Sequence, residues 1–231
     1  MIIDTSFDFR KDAKGKDPDI SSPMLKAYQR VLYSKSLPNG EEMQLDEKLR
    51  WKDFRFSSDS ILHSFASWEC YQHIISQIDE SILAEYRANS YYIGGEIIFP
   101  SYRVPGVMTI NQARGCNQKI RDRIDLTLEC IRRYYQGEDS PLNKCFCGYE
   151  SFFDLFVDFE GYVDYFHLQD LVTSDYSEVK FLTWFDDFNS CFPLPRTVEE
   201  YVEYIGNVLQ FSKARNKRID AWCQSHCNRD M

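Results

Sequence analysis

The sequence predicts an α+β protein, predominantly helical, with its helices packed around a small antiparallel sheet or hairpin. Three observations carry that reading. Apolar residues recur at helical spacing over 117–135, at Ile120, Ile124, Leu128, Ile131 and Tyr135. A second stripe after Thr197 comprises Val198, Tyr201, Val202, Ile205, Val208, Leu209 and Phe211. Between the helical patterns lie short runs that alternate, at Phe54 and Phe56, or that are continuously apolar, within 91–99.

In chain order, the polar start with Gly15-Lys16-Asp17-Pro18-Asp19 suits a strand at Ile2-Ile3 followed by a loop. Ser22 caps a helix with Pro23 as its first residue, and Met24, Ala27, Tyr28, Val31 and Leu32 form its stripe. Leu37-Pro38-Asn39-Gly40 is turn chemistry. Met43 and Leu45 alternate with polar residues, as Phe54 and Phe56 do. Ser57, Ser58 and Asp59 read as caps of a helix over 60–69 that continues to about 76. A further helix spans 80–87 and ends at Asn89-Ser90. Residues 91–99 read as a strand stopped by Pro100, with Gly94-Gly95 permitting a bulge or close packing. Pro105-Gly106 turns the chain toward a partner strand at 108–110. The 117–135 helix ends at Gly137. Aromatic helical patterns follow at 152–155 and 162–171, separated by Gly161 as a hinge or cap, and 179–185 fits strand or helix. After the rigid Phe192-Pro193-Leu194-Pro195 segment, Thr197 and Glu200 form a capping box. A last helix starts near Lys213 and carries Lys213, Arg215, Lys217, Arg218 and then Trp222. A single domain over 1–231 is expected, with 196–231 as the only segment that suggests a helical subdomain.

The chain has 231 residues, 43% hydrophobic and 16% aromatic, enough for a substantial core. Its formal net charge of −9 disfavours double-stranded nucleic acid and anionic lipid as partners. Charge interrupts the first residues before a signal-peptide pattern forms, and no run reaches the roughly 18 apolar residues of a spanning helix. A soluble cytoplasmic protein without a membrane partner is the expectation. Eight cysteines without an export signal read as free thiols. Cys145 with Cys147, and Cys223 with Cys227, are the pairs that could build a thiolate zinc site, but neither spacing is a standard knuckle. Scattered thiols are the simpler reading, so no metal is assigned and no cofactor is indicated.

The polar residues that stand out are Arg103, Asn111, Arg114 and Arg121. If Arg114-Gly115 immediately precedes the long helix, its free N–H groups and the Arg fork favour an anion there. A buried structural network is the competing reading. On that helix Arg121, Asp125 and Glu129 share a face, which an ordinary exposed helix also explains. Cys116, at the same expected helix start, is a conceivable nucleophile. His167 and Asp170, three apart, can pair as an acid/base couple. No phosphate loop, dinucleotide fingerprint or nucleophile elbow is present, and His63 and His73 are too far apart for a close zinc pair. The basic run at 213–218 matches no nucleic-acid recognition motif.

The chain resembles a family of bacterial and phage-associated proteins of unknown function. The resemblance rests on FDFR at 7–10, GKDPD at 15–19, SKSLPNG at 34–40 and FSSDSI at 56–61. It continues through IGGEIIFP at 93–100, TINQARG at 109–115, RDRIDLTLECIRRYY at 121–135 and FFDLFVDFEGYVDYF at 152–166. It implies one domain and brings no catalytic assignment. Three readings of function follow: a module binding a small anionic or nucleotide-like ligand, a hydrolase or transferase acting on a phosphate-containing substrate, and a protein-interaction module in phage–host conflict.

Overall fold

The computed structural model describes residues 4–189 and 192–227, with the backbone alone at 227. The strand expected at Ile2-Ile3 lies outside the described residues. The helices are α1 (Arg10–Ala13), α2 (Pro18–Ser21), α3 (Pro23–Leu32), α4 (Gln72–Ile75), α5 (Glu80–Asn89), α6 (Ile110–Cys116), α7 (Ile124–Tyr135), α8 (Asn143–Cys147), α9 (Glu150–Phe153), α10 (Phe159–Tyr165) and α11 (Val198–Cys227). The strands β1 (Arg50–Trp51), β2 (Phe54–Ser60) and β3 (Glu96–Pro100) form one antiparallel sheet with β2 in the middle. The α+β, mostly helical expectation holds.

Local chemistry explains many element starts. Ser22 Oγ accepts the Leu25 N–H at 3.0 Å, with Pro23 at the first helical position of α3. Asp79 caps α5 through the Ser81 N–H. Thr109 and Gln112 close a reciprocal capping box on α6. At α11 Thr197 accepts from the Glu200 N–H, and the Glu200 carboxylate reaches back to the Arg196 N–H rather than to that of Thr197.

Several expectations are corrected. Ser57, Ser58 and Asp59 do not cap a helix; they are strand residues paired with Phe99, Ile98 and Ile97. A polar strand is tolerated here because its side chains find partners, Ser58 on Asp19 and Asp59 on Arg114. Residues 61–68 are irregular, and helix returns only at 69–75. The strand expected over 91–99 is shorter, because 93–95 form a 3-10 turn. That turn presses on α11: a Cβ on Gly94 would stand 2.7 Å from the Ser212 carbonyl oxygen, and the Gly94 N–H donates to Asn216. The partner of β3 is β2, and 108–110 lead into α6.

The long central helix begins at Ile124, not near 117. Asn117 folds its own turn, its carbonyl accepting from Ile120 and Arg121. Arg121 and Asp122 then take left-handed backbone, with φ of 52° and 60°. Two adjacent left-handed residues break any helix, each at a cost of about 1–2 kcal/mol.

The two expected C-terminal helices are one 30-residue helix. It packs against α3, α4, α5 and the 3-10 turn at 93–95. The phenols of Tyr201 and Tyr204 donate to the carbonyls of Ser64 and His63. Its basic run divides: Arg215 is fully buried on the carbonyls of Gly94, Glu96 and Phe166, while Lys213, Lys217 and Arg218 are exposed, with Lys213 and Arg218 paired to Glu85 and Asp170. Among the described residues no helix is long and apolar enough to cross a membrane.

Candidate functional site

The site begins with one face of β2. Side chains alternate along a strand, so Ser57 and Asp59 point the same way. Helix α6 lies over that face, because Asn111 Nδ2 donates to Ser57 Oγ at 3.4 Å and Arg114 pairs with Asp59. Arg114 and Gly115 are inside α6, so they do not precede the N-terminus of α7. The helix-end anion site expected there therefore loses its geometry. Arg114 is fully buried, and its guanidinium also donates to Thr127 Oγ1 at 3.0 Å and to the Asp122 carbonyl at 3.1 Å. It joins β2, α6, the 117–123 turn and α7, with its donors directed at internal acceptors. Burial raises the pKa of Asp59, with the Arg114 charge acting in opposition.

Arg121 is the opposite case. Its guanidinium lies over the Trp68 ring, 5.3 Å from the centroid. Its Nε is buried and meets no acceptor. Backbone strain, stacking and an unmet donor coincide at one side chain; strain of this kind tends to persist where function requires it.

Beside it, His63 stands edge-on to Trp68 and its Nε2 is 4.0 Å from Asp122 Oδ2. The Phe65 N–H donates to His63 Nδ1 at 3.1 Å, so the neutral ring carries its proton on Nε2, facing Asp122. Burial lowers the His63 pKa, and the Arg114 charge pushes the same way, against the opposing pull of Asp122. The Asp122 carboxylate is seated against α6, where a Cβ on Gly115 would come within 3.1 Å of Oδ2. Asn111 is one turn before Gly115 and shares its face. Its Oδ1 is buried without a partner. Asp59, His63 and Asp122 keep 24–30% of their side-chain surface exposed, so the polar bowl is open to solvent.

The structure thus gathers Asn111, Arg114 and Arg121 around one region and leaves Arg103 elsewhere. Arg103 is exposed on the loop before α6, where it lines a recess with Thr109 and Gln112. His63, Asp59 and Trp68 complete the bowl and were missed. The alternation of Ser57 and Asp59 was the available signal, hidden by reading that segment as helix caps.

His167 and Asp170 do not pair. Asp170 forms a two-pronged contact with Arg218, at 2.8 and 2.9 Å. His167 Nε2 is 3.1 Å from Lys35 Nζ. Lys35 also donates to the carbonyls of Asp164 and Tyr165, which end α10. Burial, aided by neighbouring cations, pushes His167 down to about 3 and Lys35 down to about 7. Above them a groove of about 590 Å³ is lined by Ser34, Ser36, Glu42, Asp164, Trp222 and His226. Nothing local in the sequence pointed to Lys35, whose partners lie about 130 residues away.

The cysteines divide among separate surroundings. Cys145 is buried with its thiol on the Met108 carbonyl, and burial pushes it up to about 12. Cys147 is exposed and Cys223 is buried; the Cys227 side chain lies outside the described residues. Among the described residues, no group of three or more His, Cys, Asp or Glu is placed to hold a metal ion. Cys116 ends α6 rather than starting a helix, so the expected acidifying dipole is absent.

Comparison with curated proteins and with solved structures returns no match. A family model described as a family of unknown function (DUF6994) matches residues 3–219. That span includes both strained residues of the 117–123 turn, the whole sheet and most of α11. The chain therefore belongs to the DUF6994 family.

Proposed function

We propose that the protein binds a small anionic ligand, with Arg121 as the anion contact. The observation that carries this reading is the Arg121 side chain itself, held on Trp68 by a strained turn while its buried Nε meets no acceptor. Among the described residues the outer guanidinium nitrogens of Arg121 also have no hydrogen-bond or ion-pair partner, so a carboxylate or phosphate oxygen can take them without displacing an internal contact. Asn111 borders the same bowl, and Arg114 supplies positive charge from beneath while remaining bonded to Asp59. This moves the anion contact from Arg103 and Arg114 to Arg121. The hydrolase or transferase reading has less support, because His167 and Asp170 are bonded to Lys35 and Arg218 instead of to each other.

The test is calorimetric titration of the full chain with inorganic phosphate and with acetate at constant ionic strength. Arg121→Asn is the comparison, since Asn tolerates left-handed backbone while removing the guanidinium and its stacking on Trp68. Saturable binding that weakens at least tenfold in Arg121→Asn is expected. Absence of binding by both anions, or equal binding by the variant, would sink the reading.

A further inference from the structure

Resting on that reading, we infer that the ligand is a small polyhydroxylated anion, such as a sugar phosphate or sugar acid, whose hydroxyls are read by His63, Asp122 and Asn111. The first observation is the gap between His63 Nε2 and Asp122 Oδ2. At 4.0 Å it is too long for a hydrogen bond. A single oxygen about 2 Å off the line joining them reaches both at hydrogen-bond distance. That oxygen must accept from the His63 N–H, whose tautomer is set by the Phe65 amide, and donate to the Asp122 carboxylate. A ligand hydroxyl does both, in place of a bridging water; a carboxylate or unprotonated phosphate oxygen cannot donate to Asp122.

The second observation is Asn111 Oδ1, buried without a donor while the Nδ2 of the same amide is bonded to Ser57. It is an acceptor that a ligand hydroxyl would satisfy once the side chain turns outward. It lies near Asp122, since Asn111 and Gly115 share a face of α6 and the Asp122 carboxylate rests on Gly115. The third observation concerns sign. Asp59 and Asp122 are close enough for the charge of Asp122 to oppose ionisation of Asp59. This side of the bowl repels a second anionic group and favours neutral hydrogen-bond donors. The anionic end is therefore assigned to Arg121 and the hydroxylated body to the His63–Asp122–Asn111 side.

Gly115 makes the inference testable without dismantling the fold. An added Cβ at 3.1 Å from Asp122 Oδ2 forces the carboxylate to move by a few tenths of an ångström, while alanine is a better helix former than glycine. Asp122→Asn is the second variant; it keeps the backbone carbonyl that holds Arg114.

The full chain is titrated calorimetrically with ribose 5-phosphate against inorganic phosphate, and with gluconate against acetate. At least one hydroxylated ligand is expected to bind ten times or more tighter than its plain anion. Which of the two does so identifies phosphate or carboxylate as the anionic end. Gly115→Ala and Asp122→Asn are each expected to bring that ratio to near one while plain-anion binding is kept. A ratio near one in the unmodified protein, with phosphate or acetate still bound, overturns this inference and leaves the anion reading standing. Binding of none of the four removes both. A large ratio that neither variant reduces overturns the assignment of the hydroxyls to this bowl.

Discussion

The bowl at Arg121 and the groove over Lys35 are built from similar parts and differ in what is left over. Each has a cation, a histidine and aromatic rings. Lys35 has its three ammonium donor directions matched by the Asp164 and Tyr165 carbonyls and by His167. It resembles a cation placed to hold the end of a helix. Arg121 has a buried donor unmatched and sits on strained backbone. The same contrast separates Arg114 from Arg121, seven positions apart. A cation whose hydrogen bonds are complete belongs to the architecture, and one with spare capacity is available to a ligand.

The sharpest way to break the contrast is to remove the architectural arginine. Arg114→Met leaves half-buried Asp59 without its partner and is expected to destabilise the fold by about 3 kcal/mol in urea unfolding. By contrast, Arg121→Asn should change stability by less than about 0.5 kcal/mol while weakening anion binding at least tenfold. A large loss from the second substitution would make Arg121 architectural as well.

Next in size is a pH effect on the Lys35 side. His167 is lowered from 6.5 to about 3 in the fold. Between those values the unfolded chain binds the extra proton, so stability falls as pH drops through the window, by at most about 1.4 kcal/mol per pH unit. Lys35 is lowered from 10.5 to about 7, so over that higher window its contribution to stability grows with rising pH. His167→Gln should flatten the acidic limb, and Lys35→Met the alkaline one, in denaturation curves taken across pH. Unchanged slopes would mean that these groups are more hydrated than their burial suggests.

The smallest effect is expected at Cys116. It is exposed at the end of α6 and not at a helix start. Cys116→Ser should leave anion binding and stability within error, and the thiol should alkylate no faster than free cysteine at neutral pH. Fast alkylation would restore it as a reactive centre.

The sequence made the helical class legible because α3, α7 and α11 carry clear stripes and α3, α5 and α11 have side-chain caps. The chemistry of local segments was harder to read. Ser57-Ser58-Asp59 has the composition of a helix cap and becomes a strand only because β3 pairs with it. Arg121 falls four residues before Asp125 and eight before Glu129, a spacing that continues the helix backward, so nothing local announced the left-handed turn. Of the candidate ligand residues, Asn111, Arg114 and Arg121 are gathered in one region, but their roles depend on Asp59, His63 and Trp68, brought there by tertiary packing. His167 and Asp170 have the spacing for a pair, and distant Lys35 and Arg218 take them instead. Spacing specifies what two residues can do alone and says little when stronger partners arrive from elsewhere.

The length and position of α11 have a consequence for synthesis. The helix extends about 45 Å and covers α3, α5 and the Gly94 turn, all of which leave the ribosome more than a hundred residues earlier. At ordinary elongation rates those surfaces wait roughly 5–40 s for their cover. During that interval the faces of α3, α5 and the 93–95 turn that α11 covers have no lid. Folding of the nascent chain should therefore complete late, and shortening α11 should yield an aggregating product rather than a smaller stable one.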